Sequence, residues 1–295
     1  MTNQNALILC TNYCDSMLSL KQKLVEITSD KTSGSLVLLE KLIGQFEVFF
    51  SQNIHRQMRN ELPDLLELVS NKLLLFPVVT HFLTALSVVI KENNDVGPCL
   101  DFIERYKTIW SRVKDSISEE AYNIISPTAK TILTHSNSGQ VRHFFSFLKK
   151  KACNVQIVQT ISHPEMEGRL QADYIASLGF DVKLIEDAET GSIFNYIDVV
   201  VCGVDAVTGI HFLNKTGTRT IGLLCSSYKK PFYVLCDPRK IIPDSSVQNF
   251  CSAVEGSGKL FKPDFQHPSG GNTNMDERYF EWIEKTLVTK FITVL

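Results

Sequence analysis

Four short segments gather the residue types that handle phosphorylated, hydroxylated small molecules. The first is Thr134-His135-Ser136-Asn137-Ser138-Gly139, between the apolar run Thr131–Thr134 and the helix-like segment Gln140–Lys150. Small polar residues at a helix start can present backbone N–H groups to an anion, and the helix dipole favours negative charge there. Ser136, Asn137, Ser138 and Gly139 are therefore expected to turn amides toward a phosphate, although Ser and Asn are also ordinary helix caps. No Gly-Lys-Ser or Gly-Lys-Thr follows, so this is not a P-loop. The second segment is Cys202-Gly203-Val204-Asp205-Ala206, directly after an apolar run. An Asp at the carboxyl end of a strand can serve as an acid or base or anchor a hydroxyl; it can also simply form a turn. The third is Asn214-Lys215-Thr216-Gly217-Thr218, which offers an amide, a positive charge and a tight helix entry. The fourth is Lys240, in Cys236-Asp237-Pro238-Arg239-Lys240, whose plain alternative is a surface lysine.

Two different rhythms must position these segments. Only Gly34, Gly44 and Gly97 fall in the first 125 residues, and apolar positions there recur at helical spacing. Residues 4–28 carry Leu7, Leu9, Tyr13, Met17, Leu18, Leu20, Leu24 and Ile27. A second helix opens at Thr32-Ser33-Gly34-Ser35 and continues through Leu38, Leu42, Phe46 and Phe50. Further helical stretches cover about 61–75, 78–92 and 98–124, punctuated by Pro63, Pro77 and Pro98. Residues 1–125 thus read as an all-helical domain. After Ser126-Pro127 come short apolar runs at Thr131–Thr134, Val155–Val158, Val182–Ile185, Val199–Cys202 and Phe232–Leu235. Helix-like segments at Gln140–Lys150, Glu167–Leu178 and Thr218–Tyr228 separate them. Strands alternating with helices predict a mostly parallel sheet covered on both faces, an α/β Rossmann-like domain over residues 126–295. In such sheets ligands bind beyond the carboxyl ends of the strands, where the four segments fall. Residues 254–275 are the least regular part and read as a long surface loop.

Composition excludes several classes. With 44% apolar and 21% charged residues, 18 Phe and 8 Tyr, the chain is neither disordered nor a coiled-coil rod. A net charge of −2 gives no basic field for direct nucleic-acid or membrane binding. No apolar run approaches the roughly 18 residues of a membrane span, and the N-terminus lacks a basic region and a cleavage site. The eight cysteines include no Cys-x-x-Cys and no zinc spacing, so they read as reduced, buried thiols of a cytoplasmic protein without a metal.

The order of the segments is more specific than any one of them. Ser-Asn-Ser-Gly, then Pro-x-x-Glu-Gly-Arg, then Gly-x-Asp-Ala-Val, then Asn-Lys-x-Gly-Thr, then Lys-Pro-Phe-Tyr-Val resembles one family. It is that of the alpha, beta and delta subunits of translation initiation factor two-B and their relatives, the ribose-1,5-bisphosphate and methylthioribose-1-phosphate isomerases. The resemblance covers about residues 125–245 and extends weakly to the end, where Asn274–Thr293 is similar to the family's closing helix and strand. It implies a helical domain followed by a Rossmann-like domain, and no cofactor. The isomerases open a phosphorylated ribose and move its carbonyl from C1 to C2, using a Cys after the first strand and the Asp of Gly-x-Asp-Ala. Asp205 matches that Asp; Asn214 and Lys215 match the ligand-contacting pair, and Lys240 matches the lysine after the next strand. Ser33 and Gly34 are similar to the family's N-terminal pattern and are implied as ligand contacts.

The catalytic Cys position holds Ser136. Proton abstraction beside a carbonyl needs a base that ionises near neutral pH. A thiol does so far more readily than a hydroxyl, which needs a neighbouring base. His135 is adjacent, but consecutive residues on a strand point to opposite faces. Cys202 has a thiol, but its apolar strand favours packing. A second departure is Ile161-Ser162-His163-Pro164, where the isomerases carry an acidic residue and an arginine before the proline. The resemblance thus implies a non-catalytic subunit that binds a sugar phosphate or nucleoside monophosphate and acts in regulating translation initiation. It would form a homodimer through the Rossmann-like domain, with other factor-two-B-like subunits as further partners. The alternatives are an aldose–ketose isomerase with altered chemistry, or a scaffold whose pocket binds nothing.

Overall fold

A computed structural model describes residues 18–30, 32–52, 58–93, 95–125, 129–257 and 278–294. Two compact units divide between Arg112 and Val113, inside one long helix. The N-terminal unit is helical: α1 (18–28), α2 (Ser35–Phe50), α3 (Met58–Lys72), α4 (Pro77–Glu92) and the first part of α5 (Gly97–Ile125). The rest of the helix expected over 4–28 lies outside the described residues. Buried positions on α2 fall at 35, 36, 38, 39, 42, 43, 46, 49 and 50, the helical spacing seen in the sequence. The apolar ones meet Leu62 and Leu66 of α3, Phe82 and Leu86 of α4 and Tyr106 of α5 in one core. Phe82 and Tyr106 contact edge-on, with ring centroids 5.1 Å apart. Pro63 lies inside α3 and does not interrupt it.

The C-terminal unit carries a six-stranded parallel sheet in the order β3-β2-β1-β4-β7-β9. These strands are β1 (Thr131–Thr134), β2 (Gln156–Thr160), β3 (Asp181–Ile185), β4 (Val199–Cys202), β7 (Phe232–Leu235) and β9 (Lys290–Ile292). A second, antiparallel sheet, β5-β6-β8, is formed by Ala206–Val207, His211–Lys215 and Phe280–Glu284. Helices α6 (Gly139–Lys150), α7 (Gly168–Ser177), α8 (Thr190–Ile193), α9 (Thr218–Tyr228) and α10 (Val247–Gly256) complete the unit. Successive strand residues point to opposite faces. Ile132, Ile157, Val199 and Val201 accordingly pack with Phe144 and Phe145 of α6 and with Ile117, Ala121 and Ile125 of α5. Leu133, Val158, Val200 and Cys202 pack with Phe194 and with Ile221 and Cys225 of α9. The C-terminal unit therefore takes in the end of α5, which the sequence places wholly in the helical half.

From β1 the chain winds outward through β2 and β3, then returns to lay β4 on the other side of β1. The winding thus reverses between β1 and β4, and in sheets of this kind that reversal, beyond the strands' carboxyl ends, is where a ligand crevice is expected. Two expectations about the C-terminal end change. Residues 254–256 belong to α10, and of the predicted loop 258–275 lie outside the described residues. The expected closing helix is instead β8 followed by a 3-10 turn, because Phe280–Glu284 pairs with β6. Among the described residues no helix is long and apolar enough to cross a membrane.

Candidate functional site

Ser136 leaves β1 with φ 66°, a left-handed conformation uncommon outside glycine. Hydrogen bonds from the β2 side hold it there. Its N–H donates to Ser162 Oγ at 2.7 Å, and its carbonyl accepts from Gln159 Nε2 at 3.2 Å. Its hydroxyl donates to Glu167 Oε1 at 3.0 Å. Ser138 caps α6, accepting from Val141 N–H at 3.4 Å, while its own N–H donates to Gln171 Oε1 at 2.8 Å. The amides of Ser136 and Ser138, expected to face a phosphate, are each held by a side chain, from Ser162 in the loop after β2 and from Gln171 of α7. Asn137 is buried, and Gly139 is the first residue of α6.

The His135 ring hydrogen-bonds to Thr160 and Thr216, while the Ser136 hydroxyl goes to Glu167. The ring Nε2–H donates to the Thr216 carbonyl at 3.0 Å. A carbonyl only accepts, so Nδ1 is bare and accepts from the Thr160 hydroxyl at 2.6 Å. Burial pushes this histidine down to about 4, with Asp187 opposing, so it is neutral at pH 7. His135 thereby ties the β1 end to the turn after β6. Gly217, in that turn, has φ 104° and lies against the ring: a Cβ there would sit 3.1 Å from His135 Cε1.

Lys215, the last residue of β6, meets Glu167, which precedes α7. The Nζ–Oε2 distance is 2.9 Å, and the two side chains are only 4% and 8% exposed. Lys215 Nζ also lies 5.1 Å from the Tyr279 ring centre, and the Tyr279 hydroxyl donates to Glu165. Burial raises the Glu167 carboxyl above its ordinary value, opposed by Lys215 and the Ser136 hydroxyl. Glu167 was not singled out in the sequence, although it is the acid of the Pro-x-x-Glu-Gly-Arg segment just beyond β2. The glycine after it is dictated by space, since a Cβ on Gly168 would come within 2.0 Å of the Thr160 carbonyl.

The β4 loop meets the β1 loop. A Cβ on Gly203 would fall 2.2 Å from Ser138 Oγ, so these two loops touch because residue 203 has no side chain. Asp205 is half-buried, and its N–H donates to the Leu213 carbonyl at 2.9 Å, fixing it at the start of the β5–β6 hairpin. Asn214 lies within β6; its amide donates to Thr218 Oγ1 at 2.9 Å and braces the start of α9. Lys240 is no surface lysine. It is buried, and its ammonium donates to the Val204 carbonyl at 2.5 Å. Asp237 and Arg239, on the same turn, form their own buried ion pair at 2.6 Å. Cys202 is buried, and that burial pushes its thiol up to about 12, so it supplies no base. Contacts therefore connect Ser136 with Lys215 through Glu167, and the Ser136–Gly139 loop with the Gly203–Asp205 loop and Lys240. Ser33 and Gly34 belong to the other unit: Gly34 caps α2, and the Ser33 N–H donates to Asp30 Oδ1 at 3.0 Å. Among the described residues no group of three or more His, Cys, Asp or Glu could hold a metal ion.

The family model described as the initiation factor 2 subunit family matches residues 41–294. This chain belongs to that family. Its relatives carry two kinds of name. A ribose 1,5-bisphosphate isomerase of Methanocaldococcus jannaschii is 27% identical over 242 residues, 71% of this chain and 78% of that protein. A translation initiation factor eIF-2B subunit 2-like protein of Pyrococcus abyssi is 32% identical over 113 residues, 38% of this chain and 41% of the relative. Among solved structures, a Pyrococcus horikoshii translation initiation factor eIF-2B superposes with a TM-score of 0.74. It covers 93% of this chain and 94% of its own at 20% identity, a likeness of fold.

Proposed function

We propose that this chain is a non-catalytic, initiation-factor-two-B-like subunit that binds a sugar phosphate or nucleoside monophosphate in the crevice beyond β1, β4 and β7. The observation that carries the reading is the state of Ser136. At the position where the isomerases hold a Cys, its hydroxyl donates to Glu167, whose other oxygen is paired with Lys215. A hydroxyl so held has an acceptor, but any carboxylate is a far weaker base than the alkoxide it would have to raise. The binding function survives this loss. Lys215 and Lys240 bring positive charge from the end of β6 and from the turn after β7, and Asp205 and Asn214 suit the hydroxyls of a sugar. Asp205 repels phosphate oxygens, so it faces the sugar carbons. A homodimer through the C-terminal unit, a role in a regulatory assembly acting on translation initiation, and a cytoplasmic location accompany this reading.

Calorimetry of wild type and Lys215→Ala against AMP, ribose 5-phosphate and ribose 1,5-bisphosphate tests it. A charge-assisted hydrogen bond is worth roughly 1.5–3 kcal/mol, so the variant should bind about ten- to a hundredfold more weakly. Wild type binding none of them at millimolar concentration, or equal binding by the variant, would sink the assignment. The isomerase reading keeps one supporting observation: Glu167 lies within hydrogen-bond reach of the Ser136 hydroxyl. Turnover of ribose 1,5-bisphosphate by wild type, abolished by Asp205→Asn, would put that reading first.

A further inference from the structure

We propose that Glu167 is the resident anion of the site: it holds on Lys215 the place a ligand phosphate takes, and it leaves as the neutral acid when the phosphate binds. The inference rests on the reading of the crevice as a phosphate site and adds how that site is regulated. Lys215 cannot hold both partners unchanged. Its ammonium lies 2.9 Å from Glu167 Oε2, with both side chains more than nine-tenths buried. Its other close neighbour, the Tyr279 ring, offers a π-face and no formal charge. The second Glu167 oxygen is held by the Ser136 hydroxyl at 3.0 Å, so both carboxylate oxygens are engaged at the end of β1.

A phosphate brings up to two negative charges into this enclosure. If Glu167 stayed ionised, it would be a buried charge stripped of its cation and set beside another anion. One proton from solvent removes the conflict. The carboxylate becomes a carboxylic acid whose O–H can donate to Ser136 Oγ or to a phosphate oxygen, and the Ser136 hydroxyl turns to suit. Other ionisable groups connect to Glu167 through the network. Lys215 and Tyr279 come from the β6–β8 side, His135 from β1, Glu165 from the same loop and Asp187 from beyond β3. His135 is buried neutral, leaving Glu167 as the group poised to take up the proton. Without ligand, burial already raises its carboxyl, and Lys215 holds it back. A phosphate on Lys215 removes that restraint, so binding and protonation favour each other.

Titration calorimetry with AMP and ribose 1,5-bisphosphate in Tris and in HEPES, from pH 7.0 to 8.5, reads the coupling. The second ionisation of a phosphate, near pH 6, is complete in this window. The expected result is uptake approaching one proton per ligand and affinity falling up to about tenfold per pH unit. Glu167→Gln, neutral throughout, should lose the uptake and the pH dependence and bind more tightly at pH 8. Binding by Glu167→Gln alone overturns the inference, because wild type then takes up neither a phosphate nor the proton meant to accompany it. Wild-type binding with the same enthalpy in both buffers and no pH dependence overturns the inference while leaving the phosphate site standing. Binding by neither protein overturns the phosphate site and the inference with it. If Glu167→Gln does not fold, the wild-type buffer series decides alone.

Discussion

Gly203→Ala is the smallest change that should force two loops of the crevice apart. The added Cβ would stand 2.2 Å from Ser138 Oγ and 2.6 Å from Ser138 Cβ, where ordinary contact is well over 3 Å. Ser138 has little room to retreat. Its N–H is bound to Gln171 at 2.8 Å, and its hydroxyl caps α6. Overpacking of this kind costs about 1–3 kcal/mol, and loss of the cap about 1 kcal/mol more. For a unit of this size each kcal/mol moves the melting midpoint by about 2–4 °C, so a drop of about 5–15 °C is expected by calorimetry or circular dichroism. The double variant isolates the cause. Ser138→Gly alone should cost only a few tenths of a kcal/mol, since glycine is itself a tolerable N-cap. Combined with Gly203→Ala it should restore most of the lost stability, a coupling of about 1–3 kcal/mol. If Gly203→Ala melts within about 1 °C of wild type, or the double variant shows no coupling, the two loops do not meet in this way.

Lys215→Ala should lower stability at neutral pH by about 3–5 kcal/mol, because Glu167 is left buried without its cation. That loss should shrink on acidification as Glu167 takes a proton, a trend that urea titrations at pH 8 and pH 6 would show or refute. Wild type should show no isomerisation of ribose 1,5-bisphosphate in a coupled assay; activity appearing only in Ser136→Cys would show that the thiol alone was missing. His135, lowered from 6.5 to about 4 by burial, contributes stability that is full above pH 6.5 and is lost as the pH falls toward 4, about 3 kcal/mol in all. Nitrogen NMR should find its ring neutral and protonated on Nε2 down to pH 5; titration near 6.5 would refute the buried hydrogen bonds. Burial opposes ionisation of Asp237, but Arg239 overcomes it and holds the carboxyl below its ordinary value. Its contribution is therefore present above about pH 4 and lost as the pH falls through the folded value, and Asp237→Asn should remove that part of the acid limb.

The frame of the site was legible because each element has a local signature. Leu38, Leu42 and Phe46 repeat at helical spacing, and Val199–Cys202 is apolar throughout because both faces of β4 are covered. From these the parallel sheet followed, and with it the rule that residues just after strands matter. What stayed hidden depends on pairs far apart in the chain. Lys240 was read as a ligand contact with a surface lysine as the alternative, and nothing near it in sequence reveals that its ammonium ends on the Val204 carbonyl. Glu167 stood in a quoted segment, but its weight comes from Lys215, 48 positions on. The amides of Ser136 and Ser138 looked open because their acceptors, Ser162 in the loop after β2 and Gln171 of α7, lie 26 and 33 positions on. Strand β8 was missed since its partner β6 is a hairpin arm rather than part of the main sheet.

The long helix α5 has a practical bearing on dissecting the protein. Its early residues Cys99, Ile103 and Tyr106 belong to the helical core, while Ile117, Ala121 and Ile125 lie against the sheet with Ile132 and Phe144. A fragment begun at the Ser126-Pro127 break, where the sequence invites a cut, would carry the whole sheet yet expose the surface those three side chains cover. Such a fragment should be prone to aggregation, and loss of ligand binding in it would say nothing about the crevice itself. A fragment begun at Val113 keeps them. Any assignment of binding to one half of the chain by truncation should therefore be made from that start.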